Sequence, residues 1–208
     1  MNTSHNKQPS RRAIFLDRDG TLNEEVSYIC DPAQFHLLDV AAEAIHLANQ
    51  AGWLVIVITN QAGIARGLFT EEFLAGIHQR MTEELAQAGA RVDAIYYCPH
   101  HPDIGEPPYR QVCDCRKPLP GLLTRAAAEF KLNLSECLAI GDRYRDVAAA
   151  QAAGARGVLV LTGYGREEFE QEQSLSPHHK NDIAAHHIVA DHVAANVLEA
   201  VRWVINES

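Results

Sequence analysis

The sequence predicts an α/β domain built on a doubly wound parallel sheet, and three observations carry that expectation. Apolar runs such as 13–16 and 54–58 contain no polar residue, as strands covered on both faces require. Stretches of helical period, each stopped by Gly or followed by a polar turn, separate them. Several of the runs end in carboxylates, hydroxyls and glycines, at the sheet edge where open α/β folds bind ligands.

The chain has 208 residues, enough for one full domain and short for two, so residues 12–208 are expected to form a single domain behind a polar, disordered tail at 1–11. Charged residues make up 22% and apolar residues 47%, ordinary values for a globular protein. A formal charge of −9 argues against a general nucleic-acid partner, which needs Lys and Arg to neutralise phosphates, while leaving room for a local basic pocket. No apolar run is long enough to span a bilayer, and the polar start has no hydrophobic stretch behind it. The five cysteines, at 30, 98, 113, 115 and 137, are odd in number and unevenly spread, unlike a secreted disulfide framework. A cytoplasmic protein with no membrane partner is the expectation.

The first strand, 13–16, runs into Asp17-Arg18-Asp19-Gly20-Thr21. Carboxylates two residues apart at a strand end can divide phosphoryl transfer, with Asp17 as nucleophile and metal ligand and Asp19 as general acid and base. Gly20 lets the backbone turn away. The loop 22–38, with Tyr28 and Phe35, leaves this edge and is placed to contact a substrate. Residues 41–51 read as a helix with Ala44, Ile45 and Ala48 on one face, stopped by Gly52. The second strand, 54–58, ends in Thr59-Asn60-Gln61, a hydroxyl and two amides that suit a phosphate, with Gly63 and Gly67 allowing close backbone approach. Residues 70–88 form an amphipathic helix expected to do packing alone.

A strand at 92–97 delivers the chain into Cys98-Pro99-His100-His101-Pro102, and from there to Lys117 a Pro- and Gly-rich segment has no periodicity. Cys98, an imidazole from His100 or His101, Cys113 and Cys115 supply the soft ligands of a closed tetrahedral structural zinc site. Spacing alone does not choose between the two histidines. Arg116-Lys117 follow the second ligand pair directly, so the metal would fix where two cations point, although a solvated basic pair is the simpler alternative.

Residues 121–130 read as a helix and 137–140 as a fourth strand, ending in Gly141-Asp142-Arg143-Tyr144-Arg145-Asp146. Asp142 sits just past its strand as Asp17 does, and carboxylates converging at one edge make a hard-cation site that suits magnesium. Asp146 orients the cation from outside its ligand shell or simply favours the helix start. Helix 147–153 and strand 158–161 follow. Residues 163–186 read as a loop or flap whose paired histidines at 178–179 and 186–187 are solvated, and 192–205 as a closing helix.

Taken in order, Asp17-x-Asp19-Gly20-Thr21, Thr59, Lys117 and Gly141-Asp142-x-x-x-Asp146 resemble the four motifs of the haloacid dehalogenase superfamily of aspartate-nucleophile phosphatases. No large insertion separates them, so the resemblance implies a Rossmann-like core with no large cap domain and a zinc-binding loop, 98–115, in its place. The wording Asp-Arg-Asp-Gly-Thr, Thr-Asn-Gln-x-Gly-Ile-Ala-Arg-Gly, Cys-Pro-His-His-Pro and Cys-Asp-Cys-Arg-Lys-Pro is similar, over about residues 14–163, to the heptose 1,7-bisphosphate 7-phosphatase family. That likeness implies a monomeric magnesium-dependent phosphatase acting on a sugar bisphosphate, on the route to ADP- or GDP-heptose for lipopolysaccharide core or surface glycans.

By the same resemblance Asp17, Asp142 and the backbone carbonyl of Asp19 would hold magnesium, and Thr59 and Lys117 would steady the phosphoryl group. Glu25, Val26, Ser27, Tyr28, Thr59, Asn60, Gln61, Ala62, Arg116, Lys117 and Arg143 would contact the substrate, and Cys98, His100, Cys113 and Cys115 would hold zinc. Asp39-Val40 departs from the Pro-Gly that relatives usually carry before the first helix, and the His-rich stretch beyond Gly163 has no counterpart. Histidinol-phosphate phosphatases share a zinc loop but usually read Asn-Gln-Asp-Gly-Leu-Gly-Thr at 60–66. Polynucleotide 3′-phosphatases share the second motif's wording but lack the zinc pairs and want a basic surface. A zinc-stabilised interaction module with a decayed site is the non-enzymatic alternative.

Overall fold

A computed structural model describes residues 11–174 and 188–207. Its sheet has six parallel strands: β1 (Ala13–Leu16), β2 (Leu54–Asn60), β3 (Ala94–Cys98), β4 (Leu138–Gly141), β5 (Arg156–Val160) and β6 (His192–Ala194), in the order β3-β2-β1-β4-β5-β6. Side chains alternate across each strand, so Ile14 and Leu16 of β1 pack on one face while Ala13 and Phe15 pack on the other. The first face is covered by α1 (Ala41–Gln50), α2 (Glu71–Gln87) and α6 (Val197–Asn206), the second by α3 (Gly121–Phe130) and α4 (Tyr144–Ala152). Burial on both faces is why the strands read as unbroken apolar runs.

The chain winds from β1 outward through β2 to β3 and then crosses back to β4 on the other flank of β1. That reversal opens a crevice beyond the carboxyl ends of β1, β2 and β4. Asp17, Thr59 and Asp142 all lie at these ends, and the Asp17 N–H donates to the Ile140 carbonyl at 2.9 Å.

Three expectations need correction. Arg11, assigned to a disordered tail, pairs with Leu132 in a bridge. Part of the expected loop 163–186 is α5 (Gly165–Ser174), a helix hidden in the sequence by its lack of an apolar stripe. It is tied down by charge, since Glu168 takes a hydrogen bond from the Tyr144 N–H at 2.6 Å and pairs with Arg143 at 3.2 Å. The expected closing helix from 192 is instead β6 followed by α6, because the Asn196 side chain accepts from the N–H groups of Leu198 and Glu199 and starts the helix there. The paired histidines at 178–179 and 186–187 lie outside the described residues. Val40, at the departure from Pro-Gly, caps α1 with no side-chain hydrogen bond. No helix among the described residues is long and apolar enough to cross a membrane.

Candidate active site

At the crevice, Asp17, Asp142 and Asp146 converge with carboxylate oxygens within 4.8 Å of one another, all buried. Three anions in that space repel, and nearby cations offset part of that charge: the buried Lys117 Nζ lies 2.9 Å from Asp17 and 2.7 Å from Asp146 and donates to the Ile58 carbonyl at 2.9 Å, while the Arg145 guanidinium also acts on all three carboxylates. Burial works to lower the Lys117 pKa, but Asp146 and Asp17 outweigh it, so the ammonium is kept charged. Burial and the like charges of Asp17 and Asp146 push Asp142 up to about 8, and burial above all raises Asp17. An oxygen-only donor set with more negative charge than Lys117 can offset fits a hard divalent cation.

Asp19 faces differently. Arg18 donates to both its oxygens at 2.8 Å, with Asn23 at 3.0 Å and Gln61 at 2.8 Å completing the set. Burial works to raise the Asp19 pKa, but the Arg18 charge and these donors hold it below its usual range. Arg18 is itself buried, and its Nη1 lies 3.2 Å from Nε2 of His78 on α2. His78, its pKa lowered to about 3 by burial and then by the Arg18 charge, stays neutral and accepts that hydrogen bond. The expectation that α2 is packing alone is therefore corrected: His78 on one face of it holds Arg18, which binds Asp19. Arg18 escaped the sequence reading although its position between two carboxylates was the available signal.

The residues at the second strand's end are tied into the site by their own side chains. Asn60, expected to touch substrate, donates to the Lys117 carbonyl at 3.0 Å and accepts from the Lys117 N–H at 3.1 Å, so its side chain locks the backbone that carries the lysine. Gln61 bridges Asp19 and Thr59, donating to each at 2.8 Å. Thr59 and Ala62 are buried beside them. In the loop after β1, Glu25 accepts from the Ser27 N–H, Ser27 adopts a left-handed φ of 63°, Val26 is exposed and Tyr28 lies under the Arg66 guanidinium.

The second cluster stands on the loop after β3. Cys98, His100, Cys113 and Cys115 meet with Sγ–Sγ separations of 3.3 and 3.6 Å, and with His100 Nδ1 3.3 Å from Cys115 Sγ and 3.8 Å from Cys98 Sγ. The edge of a tetrahedron of thiolates about 2.3 Å from zinc is about 3.8 Å, so the set fits that metal with little movement. The structure brings His100 into the cluster and not His101, whose ring faces Arg66 at 3.2 Å and accepts from the N–H groups of Asp103 and Ile104. None of residues 99–116 is buried. Glu71 of α2 clamps the loop from outside, accepting from the Tyr97 and Tyr109 hydroxyls at 2.7 Å each. The Arg116 guanidinium donates to the His100 carbonyl at 3.3 Å, so the loop holds its head group just before Lys117 enters the crevice.

A family model described as haloacid dehalogenase-like hydrolase matches residues 23–154. A D-glycero-beta-D-manno-heptose-1,7-bisphosphate 7-phosphatase from Photorhabdus laumondii is 43% identical over 166 residues, covering 78% of this chain and 88% of the relative. The enzyme of that name from Vibrio cholerae is 38% identical over 167 residues, covering 80% and 89%. The crystal structure of D,D-heptose 1,7-bisphosphate phosphatase from B. bronchiseptica, complexed with magnesium and phosphate, superposes with a TM-score of 0.79 at 36% identity, covering 95% of this chain and 99% of that one. With buried carboxylates gathered at the switch point and this likeness along most of its length, the chain belongs to the haloacid dehalogenase-like hydrolases, in the heptose 1,7-bisphosphate 7-phosphatase family.

Proposed function

We propose that the chain removes the C7 phosphate of D-glycero-D-manno-heptose 1,7-bisphosphate, through an aspartyl-phosphate intermediate on Asp17. The observation that carries the proposal is the division between the two carboxylates of the first motif. Asp17 sits against Lys117 at the bottom of the crevice, while Asp19 is held apart by Arg18. A nucleophile and a proton carrier need such different surroundings.

Asp17 attacks phosphorus and the sugar's C7 alkoxide leaves, taking a proton from Asp19. The ionised Asp19 then takes a proton from water, whose oxygen attacks the acyl phosphate and frees Asp17. The arrangement around Asp19, with Arg18, Asn23 and Gln61 donating, favours the ionised form and so suits this second step. Lys117 and Thr59 steady the phosphoryl oxygens in both steps. Magnesium, which hydrolases of this family use, would be held by Asp17, Asp142 and the Asp19 carbonyl and would offset the charge that builds on phosphorus. Zinc on the Cys98, His100, Cys113, Cys115 set would order the loop that aims Arg116 at the substrate.

The substrate is a small sugar bisphosphate, and a monomer in the cytoplasm suffices for this chemistry. Turnover of the α and β heptose 1,7-bisphosphates, compared with histidinol phosphate and fructose 1,6-bisphosphate, tests the reading. A heptose bisphosphate should be preferred by a wide margin in kcat/KM, and preference for histidinol phosphate would overturn it.

A further inference from the structure

The turn between β5 and α5 was not assigned a role by its sequence, yet it is pressed against the first motif. Thr162 Oγ1 donates to the Gly20 carbonyl at 2.6 Å, and a Cβ on Gly163 would lie 2.7 Å from Gly20 Cα and 2.2 Å from Asp142 Oδ2, so only glycine fits this approach. The next residue, Tyr164, donates its N–H to Asp142 Oδ2 at 2.9 Å. The Arg143 guanidinium carbon lies over its ring, 3.6 Å from the centroid. Its hydroxyl is 3.5 Å from Ser27 Oγ, in the loop expected to meet substrate. Together Gly20, Asn23, Glu25, Thr162, Gly163 and Tyr164 line a cavity of about 560 Å³ beside the carboxylates.

Arg143 has a long flexible stem, and two contacts fix it: the Tyr164 ring below and Glu168 at Nη1, 3.2 Å away. Its Nε is buried and makes no hydrogen bond among the described residues. A guanidinium immobilised by stacking while a buried donor remains unused is set to receive an oxyanion, and holding it in advance lowers the ordering entropy of binding.

We infer that Tyr164 is a positioning residue whose ring aims Arg143 at the second phosphate of the substrate, the one that is not removed. The inference rests on the reading above, in which Arg143 meets the sugar bisphosphate. It gives the β5–α5 turn two roles from one residue: the backbone N–H orients a magnesium ligand while the side chain sets specificity.

The test compares Tyr164→Ala, Tyr164→Leu, Tyr164→Phe, Arg143→Ala and the Tyr164→Ala/Arg143→Ala double variant on heptose 1,7-bisphosphate and on p-nitrophenyl phosphate, which has no second phosphate. Loss of the stack should raise KM for the bisphosphate roughly tenfold relative to KM for the nitrophenyl ester, with kcat changed less than KM. Leu keeps apolar bulk without the ring's negative face and should resemble Ala, whereas Phe should stay within about twofold of the parent. The double variant should be no worse than Arg143→Ala, since the ring acts through the guanidinium. If Arg143→Ala raises the bisphosphate KM and Tyr164→Ala does not, the positioning role is overturned while the role of Arg143 stands. If Arg143→Ala itself leaves that KM unchanged, the second-phosphate reading fails and the inference with it. Equal losses on both substrates, or Phe as poor as Ala, would also overturn it.

Discussion

Two clusters of metal-competent side chains stand on either side of Lys117, and they are built in opposite ways. Asp17 and Asp142 are buried at the ends of central strands and Asp146 in the first turn of α4, and a buried lysine counters them. Cys98, His100, Cys113 and Cys115 bracket a segment, 99–116, in which no residue is buried. The first site exists because the core holds it, and the second must hold its own surroundings. On the proposed reading, chemistry belongs at the rigid carboxylate site, and scaffolding at the cluster whose four side chains would fill a zinc tetrahedron and leave no position for water.

The sharpest way to break this contrast is at the reactive end. Asp17→Asn should abolish turnover, because an amide cannot form an acyl phosphate, while the circular dichroism spectrum stays that of the parent. Measurable steady turnover in that variant would move the nucleophile elsewhere. Asp19→Asn should cost on the order of a hundred-fold or more in kcat, the usual worth of general acid and base catalysis, and a mild loss would reassign the proton carrier.

At the scaffold end the expected effect is smaller and of another kind. Cys113→Ser should lower zinc content and melting temperature and raise KM for the bisphosphate, since Arg116 and Lys117 leave the loop directly after Cys115, while dependence on magnesium persists. Unchanged stability in a zinc-poor variant would show that the clamp of Glu71 on Tyr97 and Tyr109 is enough to order the loop.

The smallest effect concerns pH. Asp142 is raised to about 8 in the folded chain, by burial and by Asp17 and Asp146, from 3.8. Between those values the folded state binds the extra proton, so the metal-free protein loses stability as pH rises from about 4 through 8. A divalent cation relieves the repulsion that appears on ionisation. Added magnesium should therefore raise the melting temperature by a few degrees more at pH 8 than at pH 6, and a larger shift at pH 6 would contradict the electrostatic picture.

The contrast also explains what the sequence revealed. Asp17 and Asp142 were legible because each is the first polar residue after an apolar strand, a local signal, and the parallel pairing of their strands brought them together. The cysteine–histidine cluster was legible by ligand type, but His100 over His101 required the loop's path, which places one ring among the thiols and turns the other to Arg66. The Arg18–His78 contact joins residues 60 apart and left no periodic trace beyond a histidine on a helix's inner face. Helix α5 was missed because it is held by Glu168 bonds and carries no apolar stripe, and β6 because three residues are too few to display alternation. Local chemistry is written in short stretches, whereas positioning is done by partners that only the fold brings together.

The central claim, that one metal site reacts and the other holds, is tested most directly by measuring bound zinc and magnesium-dependent turnover in a single preparation. The account predicts close to one zinc per chain, retained through dialysis into magnesium-free buffer, with turnover lost on dialysis and restored by magnesium alone. A stable, fully active preparation without zinc, or turnover restored by zinc in place of magnesium, would contradict it.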